Sequence, residues 1–236
     1  VDVFKGRSCV SDLTLLSGVN SFDAEELWNY EASLRAVVLD GKGVFNTNLY
    51  YSDWTDQQVA IQEPGTNSSA FVVTVNAGSS KLFGFEASFD YELTEDLSLY
   101  SGLAISHTEY VEFNAGSATL VFRDGDLSGN SFSFAPEETA VIGLNYYQSG
   151  GFFANASVSY VGESYSNVFN TKKMDSYTLV NINAGYEFEN LKLEVYAKNA
   201  TDELYDTNNN LSNISDAEGV ILGAPRELGA RLTYSF

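Results

Sequence analysis

The residues best equipped for chemistry are few and scattered. The stretch RDGDLSGN (Arg123–Asn130) carries Asp124 and Asp126, and alternate aspartate oxygens of this kind can converge on a hard cation. It lacks a closing bidentate glutamate at the right spacing, so it reads as an ordinary turn. The sole histidine, His107, leaves no histidine cluster for a metal and no nucleophile–base arrangement. It sits in an alternating segment and reads as structural. The sole cysteine, Cys9, excludes an internal disulfide and a cysteine-based zinc site. Glu109, Glu112, Asp124, Asp126, Asp216 and Glu218 fall in polar stretches and read mostly as solvated carboxylates. No residue is assigned to catalysis, to a cofactor or to a metal, and Asn-x-Ser/Thr sequons such as Asn199-Ala200-Thr201 carry little weight. Whatever this chain does, it does with a surface.

That surface is acidic. The 236 residues have a formal charge of -20, which argues against nucleic acid, because a phosphate-binding face must be basic. Hydrophobic residues make up 44%, yet no window approaches the ~20 consecutive apolar residues of a membrane helix. Aromatics are plentiful, with 15 Tyr, 16 Phe and 2 Trp, whereas proline is scarce at 3. The chain opens on Val1 without a signal peptide and reads as a processed chain or a piece of one.

The recurring pattern is a period of two, the mark of a strand with one apolar and one polar face. Trp28, Tyr30, Ala32, Leu34, Ala36 and Val38 alternate with Asn29, Glu31, Ser33 and Arg35. Phe83 to Tyr91, Leu97 to Ile105, Ala140 to Tyr146, Phe152 to Tyr160, Val180 to Phe188 and Leu191 to Ala197 repeat it. With Phe45 to Tyr51 and a last run, Leu228, Ala230, Leu232, Tyr234 and Phe236, there are about nine such segments.

Tight turns (LDGKG, LTEDL, QSGG, FENL) alternate with long polar connections at 60–80, 112–137, 163–176 and 203–225. Short turns at one end and long loops at the other describe an up-and-down antiparallel meander, as in outer-membrane barrels. Aromatic residues decide which solvent the apolar face meets. Phe45, Tyr91, Tyr146, Phe152, Tyr186, Phe188, Tyr234 and Phe236 flank the short turns or the C-terminus, Trp28, Tyr51 and Tyr160 lie nearer the other end, and aliphatic residues fill the middle. Two aromatic girdles around an aliphatic band match a bilayer with two interfaces. The run Phe152 to Tyr160 spans ~27 Å along the strand, or ~20 Å of height once tilted. The chain is therefore expected to be all-β, a transmembrane antiparallel up-and-down β-barrel, with its polar face lining a wet or plugged lumen.

Several segments resemble the C-terminal half of a TonB-dependent outer-membrane receptor. GAPRELGARLTYSF (Gly223–Phe236) resembles the family's closing strand, where a Pro-Arg pair precedes an alternating run ending in Phe. AKNATDELYDT (Ala197–Thr207) is similar to its penultimate KNLFDEEY-type strand, departing from it at Ala200 and Thr201. LWNYEASLRA, YYSDWTDQQV, KLFGFEASFDYEL and DLSGNSFSFAPEETAVIGLNYY match further pieces in order. The resemblance implies a plugged barrel of about 22 strands, of which these are the C-terminal portion. Residues 1–26 would be the end of an extracellular loop and 27–236 the closing strands, with the plug that contacts the TonB-ExbB-ExbD system absent. It also implies TonB-dependent uptake of a scarce nutrient, foremost a ferric siderophore, that is, a small-molecule metal chelate. The alternatives are a vitamin, haem or oligosaccharide as cargo, a passive porin, or a small structural barrel; an enzyme barrel is disfavoured by the missing triad. Further implied partners are outer-membrane lipid, lipopolysaccharide bridged through divalent cations to loop carboxylates, and the barrel-assembly machinery. The last of these would read Phe236, Tyr234, Leu232 and Leu228.

Overall fold

Alternation becomes sheet. In the computed structural model, which describes residues 22–62, 72–76, 78–113, 126–209 and 219–236, the strands follow in chain order. They are β1 (Glu26–Val38), β2 (Gly43–Thr55), β3 (Gln58–Gln62), β4 (Val72–Asn76), β5 (Ser79–Glu92), β6 (Leu97–Glu112), β7 (Glu138–Tyr147), β8 (Phe152–Val161), β9 (Ser164–Tyr165), β10 (Lys173–Met174), β11 (Tyr177–Phe188), β12 (Leu191–Lys198), β13 (Asp206–Asn208), β14 (Ile221–Leu222) and β15 (Glu227–Tyr234). Nine of them form a single antiparallel sheet in the order β1-β2-β5-β6-β7-β8-β11-β12-β15. The other six pair off inside the long loops as β3–β4, β9–β10 and β13–β14. Once those ribbons are set aside, every strand of the wall neighbours its successor, which is an up-and-down meander. The outermost strands β1 and β15 each have one partner, so the wall is open at both sides.

Register carries the alternation from strand to strand. Leu144, Ala156, Ile182, Ala197 and Leu228 face one another in a single apolar row across five strands. One residue along, Asn145, Asn155, Asn183, Tyr196 and Gly229 make the matching row on the opposite face. The apolar face is bare of protein: Leu34 is 58% exposed, Val195 60% and Leu232 64%. A continuous apolar wall of that extent is a liability in water and a requirement in lipid. Rings cluster at the edges of this face. Phe89–Tyr91, Tyr146–Phe152, Tyr186–Phe188 and Tyr234–Phe236 have centroids 5.9, 5.9, 5.8 and 6.0 Å apart at the short-turn end. Tyr30 and Tyr51 meet at 6.3 Å towards the loop end.

The tightly packed interior lies elsewhere. Among the described residues, the buried apolar side chains are Val59, Tyr110, Phe113, Leu127, Val168, Met174 and Phe153. All but Phe153 belong to the long loops or to the top of β6. A wall one strand thick between lipid and lumen cannot bury a core of its own, so the core forms where loops can stack.

Three details differ from the sequence expectations. β6 continues to Glu112, which puts Glu109 and Glu112 in a strand that rises past the lipid band. The connection expected over 60–80 contains the β3–β4 hairpin and ends at Ser79, where β5 begins. The final strand stops at Tyr234, although the Ser235 N–H still donates to the Asn190 carbonyl at 2.9 Å. Residues 1–21, which make up most of the expected terminal loop segment, lie outside the described residues, and Glu26 already belongs to β1.

Candidate functional site: lumen wall and loop cap

The polar face is a wall of matched donors and acceptors. Lys192 reaches Glu187 at 3.6 Å, Arg231 reaches Glu194 at 3.6 Å and Lys198 reaches Glu227 at 3.3 Å. The Asn183 amide also donates to Glu194 at 2.8 Å. Exposed pairs of this kind add about 0–1 kcal/mol each. Their effect is to make β11, β12 and β15 a hydrated, charge-balanced surface on the side away from lipid. Further round, Ser52 donates to Asn29 at 2.7 Å and Asn46 to Ser88 at 3.0 Å.

At the loop end, the same face acquires a roof. Trp54, Ser80 and Tyr110 are cross-strand neighbours at the tops of β2, β5 and β6. Phe132 packs on two of them, 6.4 Å from the Trp54 ring and 4.7 Å from the Tyr110 ring. Phe113 meets Tyr110 at 4.9 Å, and Leu127, Val168 and Val59 complete the cluster. Aromatic contacts at these spacings add to the simple burial of area. The loops are tied together by hydrogen bonds as well. The Asn130 side chain donates to the Val168 carbonyl at 2.9 Å, Ser131 N–H to Asn170 at 2.7 Å and Phe134 N–H to the Tyr165 carbonyl at 2.7 Å. The Asn209 amide donates to the Lys173 carbonyl at 2.7 Å, and the Ser166 hydroxyl bonds Asn209. Tyr177 and Tyr205 stack at 4.3 Å. Segments of all four long connections therefore form one packed cap.

RDGDLSGN falls within this cap, with Arg123 to Gly125 outside the described residues. Its described part is a turn. The Asp126 carboxylate accepts from the Ser128 hydroxyl at 2.6 Å and from the Ser128 N–H at 3.0 Å. Those two bonds hold its carboxyl below the usual range. Gly129 N–H donates to the Tyr110 carbonyl at 2.7 Å, and Leu127 turns inward into the core. His107 lies on the lipid-facing side near the rim, its ring 5.0 Å from Phe83 and its Nδ1 3.7 Å from Glu137. Asp124, Asp216, Glu218 and Cys9 lie outside the described residues. A polar cavity of 440 Å³ opens on the outward rim beside Glu137, Glu138, Tyr160, Glu163, Tyr165 and Lys173. There the hydrogen bond from Lys173 to Glu163 raises the lysine pKa.

The two closing motifs, read separately in the sequence, meet in space. Asn199, only 4% exposed, donates through its amide to the carbonyls of Glu203 (2.8 Å) and Ala224 (3.1 Å). Its own oxygen accepts from Glu203 N–H at 2.8 Å. Asp202 accepts from Arg226 N–H at 2.9 Å and faces the Arg226 guanidinium at 3.5 Å. The Lys-Asn and Pro-Arg pairs thus clip the tops of β12 and β15 together. Asn199 and Asp202 take positive φ of 45° and 59°, which is tolerable for these short polar side chains. Of the residues expected to signal assembly, Leu228, Leu232 and Tyr234 project from the lipid face of β15, 70%, 64% and 60% exposed. Phe236 lies just beyond, its ring beside that of Tyr234.

An open wall with an aliphatic band, two aromatic girdles, a polar inner face and a loop cap defines a transmembrane β-barrel of the outer-membrane type. Residues 6–200 match the TonB dependent receptor-like β-barrel family, and the chain belongs to it. Members of that family are outer-membrane β-barrels of Gram-negative bacteria. A probable TonB-dependent siderophore receptor, PiuA of Acinetobacter baumannii, is 23% identical over 209 residues, covering 87% of this chain and 27% of that protein. Among solved structures, the ferric yersiniabactin uptake receptor FyuA of Yersinia pestis superposes with TM-score 0.72 at 19% identity, covering 91% of this chain and 30% of its own. The copper transporter OprC superposes with TM-score 0.68 at 16% identity over 98% of this chain and 33% of its own. The chain thus spans about a third or less of these relatives, and at such identities the likeness establishes the fold.

The fold has distinct ends, and labelling will tell which faces outward. In a Cys9→Ser background on whole cells, Glu137→Cys and Glu203→Cys at the loop end should react with an impermeant thiol reagent. Glu95→Cys and Gly150→Cys in the short turns should not. Equal labelling of both sets would reverse or discard the orientation.

Proposed function

We propose that this chain supplies the C-terminal barrel strands (27–236) of a receptor for TonB-dependent uptake, with residues 1–26 ending an extracellular loop. The cargo is a scarce nutrient complex, foremost a ferric siderophore. The observation that carries the reading is the cap. Porin-like passage needs an open mouth, whereas here segments of three loops pack into a roof over the inner face of β2, β5 and β6, and the fourth is hydrogen-bonded to it through Asn209. A preformed, aromatic-lined roof above a polar wall suits capture of a small molecule by ring contacts and hydrogen bonds. The names of PiuA and FyuA, one a probable siderophore receptor and the other a ferric yersiniabactin uptake receptor, support the same cargo class.

The other partners follow from the two faces. The outward rim, where Lys81 and Lys173 stand among Asp53, Glu109 and Glu163, meets lipopolysaccharide of the outer leaflet. The polar wall meets the plug through which TonB acts. Iron-starved cells carrying the full-length receptor should accumulate iron from a siderophore panel only while TonB is functional. Uptake independent of TonB would favour a passive channel. TonB-dependent entry of another ligand, copper included, would keep the receptor and change its cargo.

A further inference from the structure

The inner face holds a regularity that goes beyond cargo and coupling. Tyr50, Tyr100, Phe153 and Tyr196 each stand directly opposite a glycine on the adjacent strand: Gly84, Gly143, Gly185 and Gly229. Each ring occupies the space that a glycine side chain would fill. A Cβ on those glycines would lie 2.5 Å from Tyr50 Oη, 2.4 Å from Tyr100 Cζ, 2.4 Å from Phe153 Cζ and 2.3 Å from Tyr196 Cζ. Cations lie over two of the rings, Lys192 4.5 Å from the Phe153 centroid and Lys198 5.3 Å from that of Tyr196. Below the loop cap, Phe153 is the one buried apolar side chain of the wall among the described residues, at 5% exposure.

Their placement is selective. All four pairs lie across the interfaces β2–β5, β6–β7, β8–β11 and β12–β15, which are the ones joined by long loops. The ring is always on the strand leading into the loop and the glycine on the strand returning from it. The same glycines supply an internal control, because each central one also has a neighbour across a tight-turn interface. There Gly84 faces Ser106, Gly143 faces Ser157 and Gly185 faces Glu194, none of them aromatic.

The physical need is specific to the loop-joined interfaces. A slip of one residue would turn every apolar side chain into the lumen, and lipid forbids it. A slip of two keeps every side chain on its proper face, so alternation offers no resistance. In a tight hairpin the turn itself forbids that slip, because loop length fixes register. The long connections impose no such constraint. We infer that the aromatic–glycine pairs are register locks, one for each interface that lacks a turn. After a slip of two, Tyr100 would face Val141 or Asn145 instead of Gly143, and its ring would meet a side chain.

The test is register-reporting cross-linking in the full-length receptor in outer membranes, with Cys9→Ser throughout. Ser98→Cys with Asn145→Cys reports the native β6–β7 register, since these residues are paired. Ser98→Cys with Tyr147→Cys reports a slip of two, and Asn145→Cys with Asn155→Cys reports the turn-joined β7–β8 interface. Tyr100→Ala and, independently, Gly143→Val should cut the native β6–β7 cross-link several-fold and raise the slipped one. The β7–β8 cross-link should stay unchanged. Tyr100→Phe, which keeps the ring, should behave as wild type. Native cross-linking that survives both Tyr100→Ala and Gly143→Val would overturn the proposal. Parallel loss of the β6–β7 and β7–β8 cross-links would overturn it too, because it would reduce the pairs to general packing.

Discussion

Deleting Phe236, or replacing it with Asp, should lower the outer-membrane level of the full-length receptor by roughly 30-fold, the scale of one aromatic anchor worth about 2 kcal/mol in a recognition interface. The β15 ladder ends at Tyr234, and Phe236 contributes nothing to the hydrogen-bonded wall. Its ring is fully exposed and touches only the edge of the aromatic girdle, 6.0 Å from Tyr234. A side chain so placed stabilises little inside the chain, and chain ends usually fray. Two outside surfaces could use it: the lipid interface at the short-turn end, which favours rings, and an assembly machine that reads a strand edge with alternate side chains for specificity. Leu228, Leu232 and Tyr234 lie on the same face and would be read together with it. Ser235→Ala is the matched control, because it keeps the backbone bond to Asn190 and alters only the lumen side. Heat-modifiable receptor counted in outer-membrane fractions is the readout. Normal levels after loss of Phe236 would leave the terminal ring without a role.

The wall was legible because one physical rule governs it throughout. Lipid on one side and water on the other impose a period of two, and Leu144, Ala156 and Ile182 obey it without help from distant residues. The girdles were legible for the same reason, since depth in the bilayer selects residue type. The cap was not. Its core draws on Val59, Tyr110, Phe113, Leu127, Phe132 and Val168, which come from three connections and the top of a strand, and no periodicity links them. The β3–β4 hairpin hid inside a stretch read as polar loop. The clip between Asn199, Asp202 and Arg226 was visible as two separate motifs whose contact depends on the β12–β15 register. The aromatic–glycine pairs were invisible for the same reason: Tyr100 and Gly143 become partners only when a long loop returns the chain to one particular position.

An arginine at Ala156 should cost about 2–4 kcal/mol of stability in a bilayer, the penalty of a cation near the midplane of a lipid-facing wall. Ala156 is exposed on the apolar face of β8, between Phe152 at the short-turn girdle and Tyr160 at the other. Its cross-strand neighbours Leu144 and Ile182 are 41% and 48% exposed on the same face. A guanidinium there has no acceptor within the aliphatic band, and snorkelling along the strand reduces the penalty without removing it. Asn155→Arg, one residue away, points to the opposite face between Asn145 and Asn183, where water and carbonyl oxygens can solvate it. It should cost little. Denaturant titration of the full-length receptor folded into vesicles compares the two directly, with the same added side chain, the same strand and nearly the same depth. Only the face differs. If the two substitutions proved equally mild, the apolar face would not be meeting hydrocarbon, and the exposed Leu34, Val195 and Leu232 would need a protein partner instead.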